Sequence, residues 1–376
     1  MAKANRSSNF ELLRIVAMLM IVVFHSVIDL VNKPNGDYLV GHTELIGAMR
    51  FVMDFFGNTG VVLFAMISGY FLIKSSNNEF IFKRAGRAGL KFAGMIFYNG
   101  FIVTGATALL LAILQKVDIV HLNFISDNIF QDGNTFFGFA GGYWYLSAYF
   151  ILLVLSSPIN RFLNSIQNSK NFLYAIVIVV FTTTIINYVP VLSVRDGVNF
   201  PLVFVGYMLG SYVRLFDPLK NVRTRVIWLL IFAFPVYFYT TYEFLVRVLH
   251  VAERSANPGV GYYVAFPVYV LAMLIFTLFS RMHFSNRFIN TIAPATVFVY
   301  IFHTAMPYAL FFRGAGCLYS TFIVSLNLPF HVVDLALILV IIMYSLSIMA
   351  IATVLYFIYE FVMFRISSWW NLQVDD

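Results

Sequence analysis

Arg14 and His25 lie on the first apolar stretch of the chain with ten residues between them. An imidazole titrates near neutral pH and can take a proton from a hydroxyl, while a guanidinium stays charged and presents a planar fork of donors. On a helix, successive residues turn by about 100° and rise by about 1.5 Å, so these two side chains return to nearly one face, roughly 16 Å apart. A polar stripe would then run from one membrane surface toward the bilayer centre. Glu11 precedes Arg14 by three residues, the spacing of an ion pair across one helical turn. A second reading stays open from the residues alone: Arg14 as a topological anchor, and His25 as a hydrogen-bonding group between helices. Ionisable groups within membrane helices cost about 3 kcal/mol or more, which makes a functional role the default for His25.

The elements that would carry such residues follow from composition. Of 376 residues, 61% are apolar and only 11% charged, and the mean hydropathy is +0.84. Soluble domains carry about 25% charge, and a chain this apolar needs lipid to cover it. The apolar residues come in blocks near the roughly 20 needed to span a bilayer, not in the alternation of a membrane β-barrel. The net charge of +7 fits basic loops on a cytoplasmic face, and no nucleic-acid partner is expected. The single cysteine, Cys317, leaves no intramolecular disulfide and no cysteine-based metal site. The basic start and apolar run at 15–31 resemble a signal peptide in outline. His25, Asp29 and the lack of a small-residue cleavage site identify a retained helix.

Apolar blocks predict ten helices, near 13–31, 55–73, 92–115, 143–159, 172–190, 200–215, 226–242, 263–280, 292–312 and 333–364. The expected fold is all-α, a polytopic transmembrane helix bundle with both termini cytoplasmic, forming one membrane-embedded domain over residues 1–376. With that orientation only Lys33, Arg50, Lys116, Arg195, Arg247, Arg254 and Arg313 of the 24 basic residues fall outside, in line with the positive-inside rule.

Five ordered segments add a resemblance. NFELLRIVAMLMIVVFHS is similar to the opening helix of the acyltransferase-3 family of membrane acyltransferases, whose hallmark is an arginine, ten residues and a histidine. GVVLFAMISGYFLI, with Ser68-Gly69, looks like the family's second-helix motif, and FKRAGRAGLK places Arg84 and Arg87 as its arginine pair in the next cytoplasmic segment. GYWYLSAYF, with Trp144, resembles the aromatic fourth-helix segment, although Tyr143 stands where the family often has a histidine. VFVYIFHTAMPY, with Tyr300 and His303, resembles a late-helix motif. Each piece also has a plainer reading: Ser68-Gly69 as a close-packing pair, the arginines as topological charges, the aromatics as belt residues, His303 as a packing hydrogen-bonder.

The resemblance implies an integral, multi-pass protein of the plasma or inner membrane, of the stand-alone type without an appended esterase-like domain. It implies an O-acyltransferase, most readily an O-acetyltransferase. Acetyl-CoA or another acyl-CoA would be the donor substrate, and a hydroxyl of a cell-surface, capsular or lipid-linked glycan the acceptor. His25 and Arg14 are then the expected catalytic pair and Arg84 and Arg87 the donor-binding pair. Glu11, Ser68, Trp144, Tyr300 and His303 are expected to support or line the site. No permanently bound cofactor and no metal is expected, since His25 and His303 lack a carboxylate-rich context. The bilayer, acyl-CoA and glycan are the expected partners, and the sequence names no protein partner. A secondary transporter and a polysaccharide polymerase or flippase are the rivals. The first would show internal repeats and the second larger loops outside the membrane.

Overall fold

A computed structural model describes residues 7–31, 44–74, 78–116, 143–188, 200–250, 266–304, 326 and 329–374. All regular structure among the described residues is helical: α1 (Ser8–Val31), α2 (Glu44–Leu72), α3 (Asn78–Phe97), a π-helical stretch (Tyr98–Val103) leading into α4 (Thr104–Lys116), α5 (Trp144–Ser165), α6 (Ser169–Tyr188), α7 (Phe200–Phe216), α8 (Thr224–Arg247), α9 (Phe266–Ser280), α10 (Arg287–Ile292), a 3₁₀ turn (Ala293–Ala295), α11 (Thr296–His303) and α12 (Phe330–Val374). Among the described residues, six stretches are long and apolar enough to cross a membrane: Ser8–Val27, Phe55–Leu72, Phe82–Leu110, Trp144–Ser165, Thr224–Arg247 and Leu335–Arg365. Ser169–Thr182, Phe200–Phe216 and Phe266–Ser280 are shorter apolar helices.

The helices extend past the apolar blocks where polar residues keep a high helix propensity. Thus α1 starts at Ser8, and α3 at Asn78, so Arg84 and Arg87 ride on a helix, not in a loop. The block expected at 292–312 is interrupted at Pro294 by the 3₁₀ turn, and Pro307 lies outside the described residues. The last helix is far longer than its apolar block, at 45 residues.

The chain forms two compact units, dividing within α1 after Val27, within α3 after Leu90 and again after Tyr143 and Asn290. In the first unit, α2 is the central helix. It runs antiparallel to α1, with Gly57 against Phe24, Gly60 against the Ala17 carbonyl, and Tyr70 and Phe71 against Phe10. Its other side meets α7 backbone to backbone. A Cβ added at Gly69 would lie 2.0 Å from the Tyr207 carbonyl oxygen, and one at Gly210 only 1.9 Å from that of Met66. Gly206 and Gly210, four apart on α7, make the small-residue face that lets membrane helices approach so closely. Val62, Leu63, Met66, Ile67, Val203, Tyr207 and Leu271 are all buried in the core that results.

With little water to bond to, polar groups in such a core must be paired within the protein. The hydroxyls of Ser26, Thr59, Ser211, Thr277 and Ser345 each return to the carbonyl four residues back. The carbonyls exposed at the C-terminal end of α2 take donors from α5: Asn160 Nδ2 reaches the Leu72 oxygen at 2.7 Å and Asn164 Nδ2 the Ile73 oxygen at 2.8 Å. Beyond α9, Arg281 donates to the Val222 and Leu219 carbonyls and so ties down the turn between α7 and α8.

The second unit holds the rest of α3, the π-helical stretch, α4, α11 and α12. Phe298 of α11 faces Tyr356 and Tyr359 of α12 at 6.4 and 6.5 Å between ring centres, and Tyr98 touches both Phe298 and Tyr359. Lys91 bonds the Glu360 carboxylate at 2.9 Å and the Tyr356 hydroxyl at 3.2 Å.

Candidate functional site

The first turns of α1 are fixed before any charge is considered. Asn9 Nδ2 donates to the Phe279 carbonyl of α9 at 2.9 Å, and the Ser8 hydroxyl donates to Asn290 Oδ1 and accepts from the Asn286 backbone N–H. Phe10 joins Tyr70, Phe71 and Phe276 in one aromatic cluster, with ring centres 5.0 to 5.6 Å from it. On this anchored turn the Glu11 side chain is 9% exposed and that of Arg14 is 36% exposed. One guanidinium nitrogen of Arg14 lies 3.2 Å from each carboxylate oxygen of Glu11. The buried carboxylate holds the cation, whose outer edge faces outward with donors to spare.

His25 lies further along the same unbroken helix and is half-buried, with its ring 5.0 Å from that of Phe24. Phe24 packs where Gly57 leaves room, so the close approach of α1 to α2 sets this turn in place. Arg14 and His25 share a helix but do not meet: helical rise keeps them roughly 16 Å apart. A long, slender ligand lying along α1 could touch both, whereas a small one could not.

Ser68 is part of an aromatic ladder between α2 and α5. Its hydroxyl lies 3.3 Å from the Phe64 carbonyl and 3.4 Å from the Tyr149 hydroxyl. Tyr149 stacks on Tyr145 at 6.0 Å, Tyr145 faces Phe64 at 6.1 Å, and Trp144 stands perpendicular to Tyr145. Ser68 and Trp144 are thereby brought into one cluster, while neighbouring Gly69 serves helix packing. Tyr207 of α7 adds a polar contact to α5: its hydroxyl donates to Asn160 Oδ1 at 2.6 Å. Arg84 and Arg87, one turn apart on α3, are both exposed. Gly89, two residues beyond Arg87, brings that helix against Phe150 of α5.

Tyr300 and His303 belong to the second unit. Their rings meet edge to face at 5.8 Å, and Tyr300 lies 6.5 Å from Tyr143. His303 Nδ1 is 2.7 Å from the Val299 carbonyl oxygen. A carbonyl can only accept, so Nδ1 carries the proton, and in the neutral ring Nε2 is the acceptor. The structure thus groups Glu11 with Arg14, Ser68 with Trp144, and Tyr300 with His303. Among the described residues no group of three His, Cys, Asp or Glu side chains gathers as a metal site would need.

Three participants escaped the sequence reading. Asn160 and Tyr207 tie α5 and α7 to the end of α2, and their signal was faint: one amide and one phenol on otherwise apolar helix faces. Asn99 sits on the π-helical stretch, and nothing in FYNGFIV announces a π-helix.

Among the described residues all regular structure is helical, and six stretches are long and apolar enough to cross a membrane, as in a membrane protein. The family model described as an acyltransferase domain, acyltransferase-3, matches residues 7–371, and the chain belongs to that family. It is therefore a membrane acyltransferase. No curated protein and no solved structure matches the chain.

Proposed function

We propose that this acyltransferase moves an acetyl group from acetyl-CoA to a hydroxyl of a cell-surface, capsular or lipid-linked glycan, with both units acting as one membrane domain in the plasma or inner membrane. The observation that carries the reading is the guanidinium of Arg14, held by buried Glu11 on the same apolar helix that bears His25. Coenzyme A has a charged nucleotide end and a long pantetheine arm. A donor whose phosphates stay at the membrane surface, beside Arg84, Arg87 and Arg14, can extend its thioester toward His25 without burying those phosphates. The distribution of basic residues supports placing both termini and this surface on the cytoplasmic side.

In this reading His25 takes the proton of the acceptor hydroxyl as its oxygen attacks the thioester carbonyl carbon. The carbon–sulfur bond breaks, and the proton passes to the departing thiolate. Arg14 positions the donor or the imidazole. Ser68 and Trp144, in the same unit as Arg14 and His25, line or support the path.

The test is transfer of label from acetyl-CoA to glycan in membranes containing the chain. Wild-type chain should transfer label, and His25→Ala should lose about 10²- to 10⁴-fold in rate while still inserting into the membrane. Near-normal transfer by His25→Ala would remove the histidine from catalysis. Absence of label with wild type would overturn the reaction itself.

A further inference from the structure

Lys91 of α3 and Glu360 of α12 pair within the second unit, Nζ to Oε1 at 2.9 Å, and both side chains are 45% exposed. The Tyr356 hydroxyl accepts from Lys91 at 3.2 Å and donates to Glu360, which closes a ring of three polar groups. The ammonium also stands over the Tyr356 ring, 5.3 Å from its centre. Tyr356 and Tyr359 are buried, and Gly94 leaves room on α3 for the Tyr359 hydroxyl, which would lie 2.6 Å from an added Cβ. A packed aromatic base therefore sets the position of the pair.

Both residues lie inside the apolar stretches of their helices, Phe82–Leu110 and Leu335–Arg365. Glu360 is little more than one turn before Arg365, the charged end of its stretch, which puts the pair near the lipid headgroups. Toward the middle of the same stretches Phe97, Val354 and Phe357 are exposed, as side chains that face acyl chains are. If the pair only joined α3 to α12, apolar packing would serve as well. Charges that show both their ends to lipid point instead to a ligand that brings the opposite charges.

Such a ligand must carry both signs at once. An anionic headgroup alone would meet Lys91 and be repelled by Glu360, and a cation alone would do the reverse. A lysine ammonium has three N–H donors, of which Glu360 and Tyr356 take two, and a carboxylate accepts from several donors. We infer that Lys91 and Glu360 form a binding site for a phospholipid with an ethanolamine headgroup, whose phosphate accepts from Lys91 and whose primary ammonium donates to Glu360. Ethanolamine is favoured over choline because a quaternary ammonium has no N–H to give. The acyl chains lie along Phe97, Val354 and Phe357. The site is separate from the acyl-transfer reaction and needs nothing from it.

The experiment uses the full chain purified in detergent, with melting temperature read against added dioleoyl phosphatidylethanolamine, phosphatidylcholine and phosphatidylglycerol. For wild type, the concentration giving half the full shift should be about tenfold lower for phosphatidylethanolamine than for phosphatidylcholine, the discrimination of one charge-assisted hydrogen bond. Wild type alone decides this, even where substitutions unfold the chain. Equal shifts from these two lipids overturn the site. A tighter response to phosphatidylglycerol also overturns it, since that marks a basic surface in which Glu360 has no part.

Glu360→Gln keeps an acceptor for Lys91 at the same size but removes the charge that receives the ammonium, so it should abolish the preference for phosphatidylethanolamine over phosphatidylcholine. Lys91→Met should weaken the response to both lipids, because each binds through its phosphate. A pair that only joins the helices would lower the melting temperature of both variants equally in every lipid and leave the preference intact, and that result overturns the site. Soluble glycerophosphoethanolamine, the headgroup without acyl chains, should give no shift at the same concentration. An equal shift from it overturns the assignment to a bilayer lipid.

Discussion

Glu11 meets Arg14 with both carboxylate oxygens at 3.2 Å from one guanidinium nitrogen, a buried anion steering a cation that is more than a third exposed. Solvent at Arg14 screens the pair, which limits its contribution to stability to about 1 kcal/mol. Its role is orientation. Glu11→Gln keeps an acceptor but removes the charge, so it should change thermal stability little while lowering acetyl transfer about tenfold, the effect of roughly 1.4 kcal/mol lost at the transition state. Parallel measurement of melting temperature and transfer rate decides it, and equal losses in both would make Glu11 merely structural.

Arg84 and Arg87 present two exposed guanidiniums one turn apart. Replacing both with alanine should raise the KM for acetyl-CoA by about ten- to a hundredfold with little change in kcat, as expected when contacts equal in ground and transition state are lost. Added salt should weaken donor binding by wild type and affect the double variant less. An unchanged donor KM removes the pair from the donor site.

Gly210 faces the Met66 carbonyl so closely that an added Cβ would lie 1.9 Å from the oxygen, whereas one at Gly105 would meet nothing within 4 Å. Backbone cannot rotate aside as a side chain can. Gly210→Ala should therefore destabilise by about 1–3 kcal/mol or more. Gly105→Ala, exposed on α4, should be neutral or stabilise by up to about 1 kcal/mol. Thermal melts of the two variants in the same detergent make the comparison.

Asn160 serves two groups at once, donating to the Leu72 carbonyl and accepting from the Tyr207 hydroxyl. Asn160→Leu leaves both buried without partners and should cost about 1–3 kcal/mol for each. Adding Tyr207→Phe to that variant removes one of the stranded groups. The double variant should then be more stable than the sum of the single losses predicts, a coupling that a double-mutant cycle measures directly.

The helical membrane class was legible because apolar blocks are long and lipid demands internally paired backbone, which leaves helices as the simplest solution. The Glu11–Arg14 pair was legible because charges three residues apart on a membrane helix stand out against their surroundings. Asn160 and Tyr207 were not. Each is an ordinary polar residue whose meaning lies in where a distant helix ends, and only packing brings the Leu72 carbonyl to Asn160. Helix ends were misjudged for a related reason: the hydropathy of FKRAGRAGLK reads as a loop, yet alanine, lysine, leucine and arginine are good helix formers and carry α3 through it. Ser68-Gly69 divides between its two readings, since Gly69 is a packing contact and Ser68 faces the aromatic ladder.

The length of α12 has a physical outcome for the lipid around it. Its apolar stretch, Leu335–Arg365, has 31 residues, about 46 Å of straight helix against a hydrocarbon core of about 30 Å. Such a mismatch is relieved by tilting the helix or by thickening the bilayer beside it, each at a fraction of a kcal/mol per ångström. Bilayer thickness thereby becomes a variable acting on the unit that holds Asn99 and His303, and acyl-chain length in a reconstituted membrane is a setting to which this enzyme should respond.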